Sequence, residues 1–276
     1  MQQIQAKKRR GGMLSLLLSV VILLLSGFVI LRAMGDEPSV SSSAGAVDKE
    51  TAAKLEALSE QLEDVRYILE RSEEYPASLL KLLANNPETA EFVKLYPEHG
   101  LNSPAETVGE LRDGEIPLLL QWDPRWGYTT YGSDFLAVTG CGPTCLSMVA
   151  SGLTGDETIT PWKVAEAAEA GGHYTEGYGS EWTIMSVLSA EFGVTATELP
   201  LDEGVMMQAL SEGKPIVCSM NAGDFTASGH YIVLVGVEDG MFIVHDPNSP
   251  ERSDILWSYR RISGQIGNLW SFAASN

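Results

Sequence analysis

The chain has 276 residues, 44% of them hydrophobic, with 37 acidic residues against 18 basic ones and a formal net charge of −19. So large an acidic excess argues against a nucleic-acid or anionic-lipid partner, since phosphates and anionic surfaces are bound through lysine and arginine. Three cysteines with no CxxC pair, and no clustered Cys/His spacing, give no metal site, and no cofactor is predicted.

The first segment is a membrane signal. Lys7, Lys8, Arg9 and Arg10 precede residues 13–31, a run of nineteen uncharged residues. As a helix this run spans ~28 Å, close to the thickness of a bilayer core. Residues 1–12 then form a basic cytoplasmic tail, because lysine and arginine stay on the cytoplasmic side. A cleaved signal peptide would have a shorter apolar run, ~7–15 residues. Arg32 also sits unfavourably beside the passable cleavage site Ala33-Met34-Gly35, so residues 13–31 are read as an uncleaved single-pass anchor. All 37 acidic residues lie after residue 35, against 13 basic ones, as suits a soluble domain outside the cell.

Residues 32–48, rich in Ser, Ala and Gly, read as a flexible linker. Residues 49–112 read as a helical stalk and lead-in. Leu55, Leu58, Leu62, Val65 and Leu69 repeat at the 3-4-3-4 spacing of a coiled coil across a helix at 49–74. Two heptads could pair two copies weakly into a homodimer, or could pack on the domain that follows. Shorter helices are expected at 77–84 and 87–96, the second capped by Asn86 with Pro87 at its first position.

Residues 113–276 carry all six tryptophans and are long enough for one sizeable core. The predicted order is a strand at 116–120, helices at 142–152, 160–170, 181–192 and 201–212, then strands at 215–220, 230–237 and 241–246. Helices first and an antiparallel sheet last make an α+β domain. Cys141 stands in Thr139-Gly140-Cys141-Gly142-Pro143-Thr144, where it caps a buried helix. Free N–H groups and the positive end of the helix dipole there favour a thiolate, the form a nucleophilic cysteine needs. Cys145 and Cys218 read as two free buried thiols, with a disulfide as the alternative if helix and sheet bring them together.

A cysteine nucleophile needs a base. Of the four histidines, His99 precedes the domain and His173 lies in a glycine-rich loop. His230 opens one strand, and His245 and Asp246 end the next. A three-residue loop, Glu238-Asp239-Gly240, sets Val237 opposite Met241 and Ile232 opposite Asp246. His230 then lies diagonally from Asp246 on one face, and His245 points to the other. A two-residue loop would separate the pair, since a one-residue slip flips every side chain.

Gln121-Trp122-Asp123-Pro124-Arg125-Trp126-Gly127, Gly140-Cys141-Gly142-Pro143-Thr144, Gly229-His230-Tyr231 and His245-Asp246-Pro247-Asn248 together resemble the C39-like group of papain-fold cysteine peptidases. The ordered set is far more specific than any one motif. The resemblance implies a papain-like fold, with the cysteine-bearing helix packed on the antiparallel sheet. It implies Cys141 as nucleophile, His230 as base, Asp246 as its orienting partner and Gln121 as an oxyanion donor. His245 departs from the asparagine expected there, but lies off the catalytic face. Trp182 and Phe225 are expected to line the cleft.

The expected function is therefore a membrane-anchored extracytoplasmic thiol hydrolase, a cysteine peptidase acting on a peptide or protein. An amidase or transpeptidase of cell-wall peptide would use the same residues. A non-catalytic peptide-binding module would not need the intact Cys–His–Asp–Gln set.

Overall fold

The computed structural model describes residues 47–275. The basic tail, the apolar run at 13–31 and nearly all of the linker lie outside the described residues. Among those described, no helix is long and apolar enough to cross a membrane.

The lead-in is a set of short helices, α1 (Lys49–Ser59), α2 (Glu63–Leu69), α3 (Ala77–Asn85) and α4 (Ala90–His99). Asp48 caps α1 by accepting from Thr51 N–H at 2.8 Å. The expected continuous helix over 49–74 is broken after Ser59, and Leu62 takes an extended conformation (φ −115°, ψ 115°). The break folds the apolar stripe inward instead of leaving it as a coiled-coil seam. Leu55, Val65 and Ile68 are fully buried in one core with Leu79, Leu83, Phe92, Tyr128 and Phe135. Of the two readings the repeat allowed, packing on the chain's own main domain is the one seen. Asn86 caps the turn at Pro87–Thr89 as expected, its Oδ1 accepting from Glu88 N–H at 3.1 Å.

The main domain adds two small ribbons and one large sheet. β1 (Thr130–Tyr131) and β2 (Asp134–Phe135) lead into α5 (Leu136–Thr139) and α6 (Cys141–Thr154). α7 (Pro161–Ala170) follows, with Thr160 at its N-cap and Pro161 in its first turn. β3 (Tyr174–Thr175) and β4 (Gly179–Ser180) form a hairpin, followed by α8 (Thr183–Ser186). Then come β5 (Val194–Glu198), α9 (Glu203–Ser211), β6 (Ile216–Asn221), β7 (Gly229–Glu238), β8 (Met241–His245), α10 (Pro250–Ser253), β9 (Leu256–Trp257), α11 (Tyr259–Ile262) and β10 (Ile266–Ala274). The large sheet is six-stranded and antiparallel, in the order β5-β10-β6-β7-β8-β9.

Period-two alternation divides the core between the two faces. Val217, Tyr231, Val233 and Phe272 pack with α6 and α7 on one face. Ile216, Cys218, Ile232, Leu234 and Val244 pack with Met206 and Leu210 of α9 on the other. α6 is buried from Gly142 to Ser151, which is why its sequence is apolar nearly all round. Cys145 and Cys218 belong to cores on opposite faces, and all three cysteines are free.

Two predicted elements differ. Residues 116–120 form no strand, and Pro117 lacks the N–H that a ladder would need. Ile116 and Leu119 pack instead on the α6 core. The expected helix at 181–192 is only α8 and a 3-10 turn, Leu188–Phe192. It breaks at exposed Val187 (φ −124°, ψ −60°), and these short turns suffice to bury Ile184, Met185 and Leu188.

Candidate active site

The register of β7 and β8 decides where the base and its partner meet, and two departures from expectation cancel. The hairpin loop has two residues, not three. Glu238 pairs with Met241, and Asp239 (φ 51°) and Gly240 (φ 73°) both take left-handed conformations, as in a type I′ turn. By itself this would put His230 and Asp246 on opposite faces. A bulge at Val235 then inserts one residue, so that Gly236 pairs with Ile243 but Leu234 pairs with Val244. Beyond the bulge the register is the expected one, with Val233 opposite His245. His230 Nε2 and Asp246 Oδ1 lie 2.7 Å apart.

Cys141 is the first residue of α6, and Gly140 (φ −88°, ψ 16°) rather than Cys141 occupies the cap. Gly140 O accepts from Thr144 N–H at 3.0 Å and from Thr144 Oγ1 at 2.7 Å. Close approach, not an unusual backbone angle, requires the two glycines. A Cβ on Gly140 would lie 2.4 Å from Leu136 O, and one on Gly142 would lie 2.4 Å from Ser180 Oγ. The β3–β4 hairpin is thereby pressed onto the start of α6. Ser180 holds it there. Its Oγ shares a hydrogen bond with Tyr131 OH at 2.9 Å, and its carbonyl accepts from Tyr231 OH at 3.2 Å.

Cys141, partly exposed, and His230 open into one cavity of about 510 Å³ walled by Tyr174, Tyr178, Trp182 and Ser180. Asp246 lies behind His230, fully buried. Its Oδ1 also accepts from Asn248 N–H at 2.8 Å, and its Oδ2 accepts from Arg252 Nε at 2.5 Å. Burial opposes the charged imidazole, but the Asp246 carboxylate outweighs it, and His230 is raised above its ordinary value with Cys141 adding to the effect. Burial likewise opposes the Asp246 carboxylate, and His230 with Arg252 overrides it, so Asp246 is held below the usual carboxylate range. Burial pushes both the Cys145 and the Cys218 thiols upward.

Gln121 is buried and does not line this cavity. Its Nε2 donates to Ala137 O at 2.7 Å, on the short helix that ends just before Cys141. Its Oε1 has no partner, and its backbone N–H donates to Pro247 O at 2.8 Å, tying it to the Asp246 loop. Trp182 is half exposed at the cavity wall, with Nε1 on Ser219 Oγ at 3.2 Å and its ring against Trp270. Phe225 is not brought to the cavity. It is buried with its ring 4.5 Å from Trp257, because the loop before β7 folds it into the core on the α9 face. His245 lies in a separate cavity with Asp113, Ile116 and Gly152. Its burial lowers its proton affinity, and its Nδ1 has no partner.

Sequence reasoning missed Arg252 and the tyrosine pair Tyr131 and Tyr231. A signal for Arg252 existed. Ser249-Pro250 is a helix-start pattern, and Ser249 Oγ does accept from Arg252 N–H at 3.1 Å, turning the arginine back over Asp246. Tyr231 stood in the Gly229-His230-Tyr231 motif, but nothing local tied its hydroxyl to Ser180, and Tyr131 carried no local signal. Among the described residues, no group of three or more His, Cys, Asp or Glu side chains could hold a metal ion.

A cysteine at the head of a buried helix, packed on an antiparallel sheet that carries a His–Asp pair, is the arrangement of a papain-fold cysteine peptidase. The sequence model described as the Peptidase_C39 like family matches residues 114–271, more than half of the chain, and the chain belongs to that family. Two solved structures are similar over nearly all of their own length and over half or somewhat more of this chain. One is the peptidase domain of Streptococcus ComA, a bi-functional ABC transporter involved in a quorum-sensing pathway. It is 20% identical with a TM-score of 0.40, covering 50% of this chain and 93% of that one. The other is described as a C39-like peptidase from Bacillus anthracis. It is 14% identical with a TM-score of 0.42, covering 59% and 96%. No curated protein matches the chain.

Proposed function

We propose that the protein is a membrane-anchored extracytoplasmic cysteine peptidase that uses Cys141, His230 and Asp246, with Gln121 at the oxyanion. The observation that carries this reading is the shared cavity of Cys141 and His230, with Asp246 2.7 Å behind the imidazole. The Cys141 thiolate attacks the scissile carbonyl carbon, and the carbonyl oxygen takes the negative charge. Protonated His230 gives its proton to the leaving amine as the C–N bond breaks, leaving a thioester. His230 then takes a proton from water, whose oxygen attacks the thioester and releases the acid and the thiolate. Asp246 keeps the imidazole oriented and stabilises its charged form. One amide hydrogen of Gln121 is engaged by Ala137 O, so the second is the one available to the oxyanion.

Cys141→Ala is expected to abolish cleavage, and His230→Ala to lose ~10²–10⁴-fold, the range that general acid–base catalysis contributes. An iodoacetamide-type probe near pH 6 should label Cys141 well ahead of Cys145 and Cys218, which are buried with raised thiols. Equal labelling of all three, or undiminished cleavage by Cys141→Ala, would overturn the reading. The nineteen-residue apolar run with its basic flank supports the anchor and the outward placement.

A further inference from the structure

The Asp246 loop makes its most specific outer contacts with the lead-in, which precedes the residues matched by the family. Asn86 stands between α3 and α4 and is 8% exposed. Its Oδ1 caps the local turn, while its Nδ2 donates to Asn248 O at 2.6 Å and to Asn248 Oδ1 at 3.2 Å. Two residues on, Glu88 Oε1 accepts from Glu251 N–H at 2.9 Å. Trp122 Nε1 donates to the same Asn248 carbonyl at 3.1 Å. The amide on the other side of Asn248 points at the catalytic pair. Asn248 N–H donates at 2.8 Å to Asp246 Oδ1, the oxygen that also bonds His230.

We propose that Asn86 is a positioning residue for the Asp246–His230 pair, acting through Asn248, so that the lead-in is part of the active-site framework. The proposal rests on the reading of Asp246 and His230 as catalytic partners. Residues 246–249 lie between β8 and α10 and have no ladder of their own to fix them. A buried amide that donates both to the carbonyl and to the side chain of Asn248 fixes that peptide in place. A shift of the Asn248 amide withdraws one of the two N–H donors on Asp246 Oδ1 and moves the oxygen that orients His230. The titratable or charged groups around the pair are Cys141 at His230, Arg252 and Cys145 at Asp246, and Glu88 facing the loop from the lead-in. Each of these is unchanged by a neutral substitution at Asn86.

The test uses the full-length chain. Asn86→Ser keeps a good cap on the turn but is too short to reach Asn248, whereas Asn86→Ala loses both functions. Lys54→Ala is the control, since it removes only surface contacts, the bond from Lys54 Nζ to Asn85 Oδ1 and the ion pair with Glu50. Three quantities are read: kcat and KM on a peptide the wild type cleaves, the His230 titration midpoint from its ring protons by NMR, and the melting temperature. Asn86→Ser and Asn86→Ala are expected to share a fall in kcat on the order of tenfold, the scale of a small misplacement, with KM nearly unchanged. Both should lower the His230 midpoint, only Asn86→Ala should also lose the cap's share of stability, and Lys54→Ala should match wild type. Unchanged kcat and midpoint in folded Asn86→Ser would overturn the proposal, as would loss of folding in both variants, which would make the role purely structural. If the wild type cleaves no peptide, the peptidase reading falls, and the His230 midpoint alone then decides whether Asn86 braces the pair.

Discussion

Asp246 is a fully buried carboxylate, and such a group in isolation would cost several kcal/mol. His230, Arg252 and Asn248 N–H together surround it, so that the charge is met on both oxygens. Because Asp246 is held below its ordinary value of 3.8, its stabilising contribution is present above that value and is lost as pH falls through the folded value. His230 is raised above 6.5, so its contribution is complete below 6.5 and is lost as pH rises through its folded value. The charged pair therefore persists through neutral pH. The alkaline limb of kcat/KM is expected above pH 6.5. Asp246→Asn should move it downward, since the main influence that raises His230 is removed. It should cost less activity than His230→Ala, since asparagine can still accept from the imidazole. A pH series on wild type and Asp246→Asn reads both, and an unmoved limb in the variant would separate Asp246 from the base.

At the scale of elements, the cleft is made by pressing the β3–β4 hairpin against the first turn of α6. The contact leaves no room for a methyl group at Gly142, whose added Cβ would meet Ser180 Oγ and Cβ at 2.4 and 2.6 Å. Gly142→Ala is expected to destabilise the chain by ~1–3 kcal/mol through overpacking, and to raise KM as the hairpin is displaced from the cavity wall. Ser180→Gly removes the clash but also the partner of the buried Tyr131 hydroxyl, so the double variant should lose less stability than the sum of the two single losses rather than return to wild type. Denaturant melts of the single and double variants check this. A single variant as stable as wild type would show that the hairpin is free to move.

For the whole molecule, the lead-in and the main domain are one folded unit, joined through the core that Leu55, Val65, Phe92, Tyr128 and Phe135 share. The full-length chain is expected to stay with membranes after carbonate extraction. External protease should remove the acidic domain from intact cells and spare the first twelve residues. A soluble mature chain beginning near Asp36 would instead identify a signal peptide, and would leave the active-site reading unchanged.

Local chemistry made much of this legible. The glycines around Cys141, the Asn86-Pro87 helix start, and the apolar runs of β6, β7 and β8 each act over a few residues, so spacing along the chain reveals them. The pairing of His230 with Asp246 was legible for a partly mistaken reason. A two-residue turn, which the Asp239-Gly240 pair favours, and a compensating bulge at Val235 together restore the register that a three-residue loop would have given. Other features depended on which distant surfaces meet. The leucine repeat at 55–69 has the spacing of a coiled-coil seam, yet tertiary packing spends it on the main domain. Phe225 sits in a polar loop, and only the fold decides that it faces Trp257 rather than the cleft. Asn86 reaches Asn248 across 162 residues. The sequence could announce Asn86 as a cap, because capping acts within one turn. Its second hydrogen bond exists only once the lead-in has docked, because a short polar side chain has no partner until another part of the chain brings one within about 3 Å.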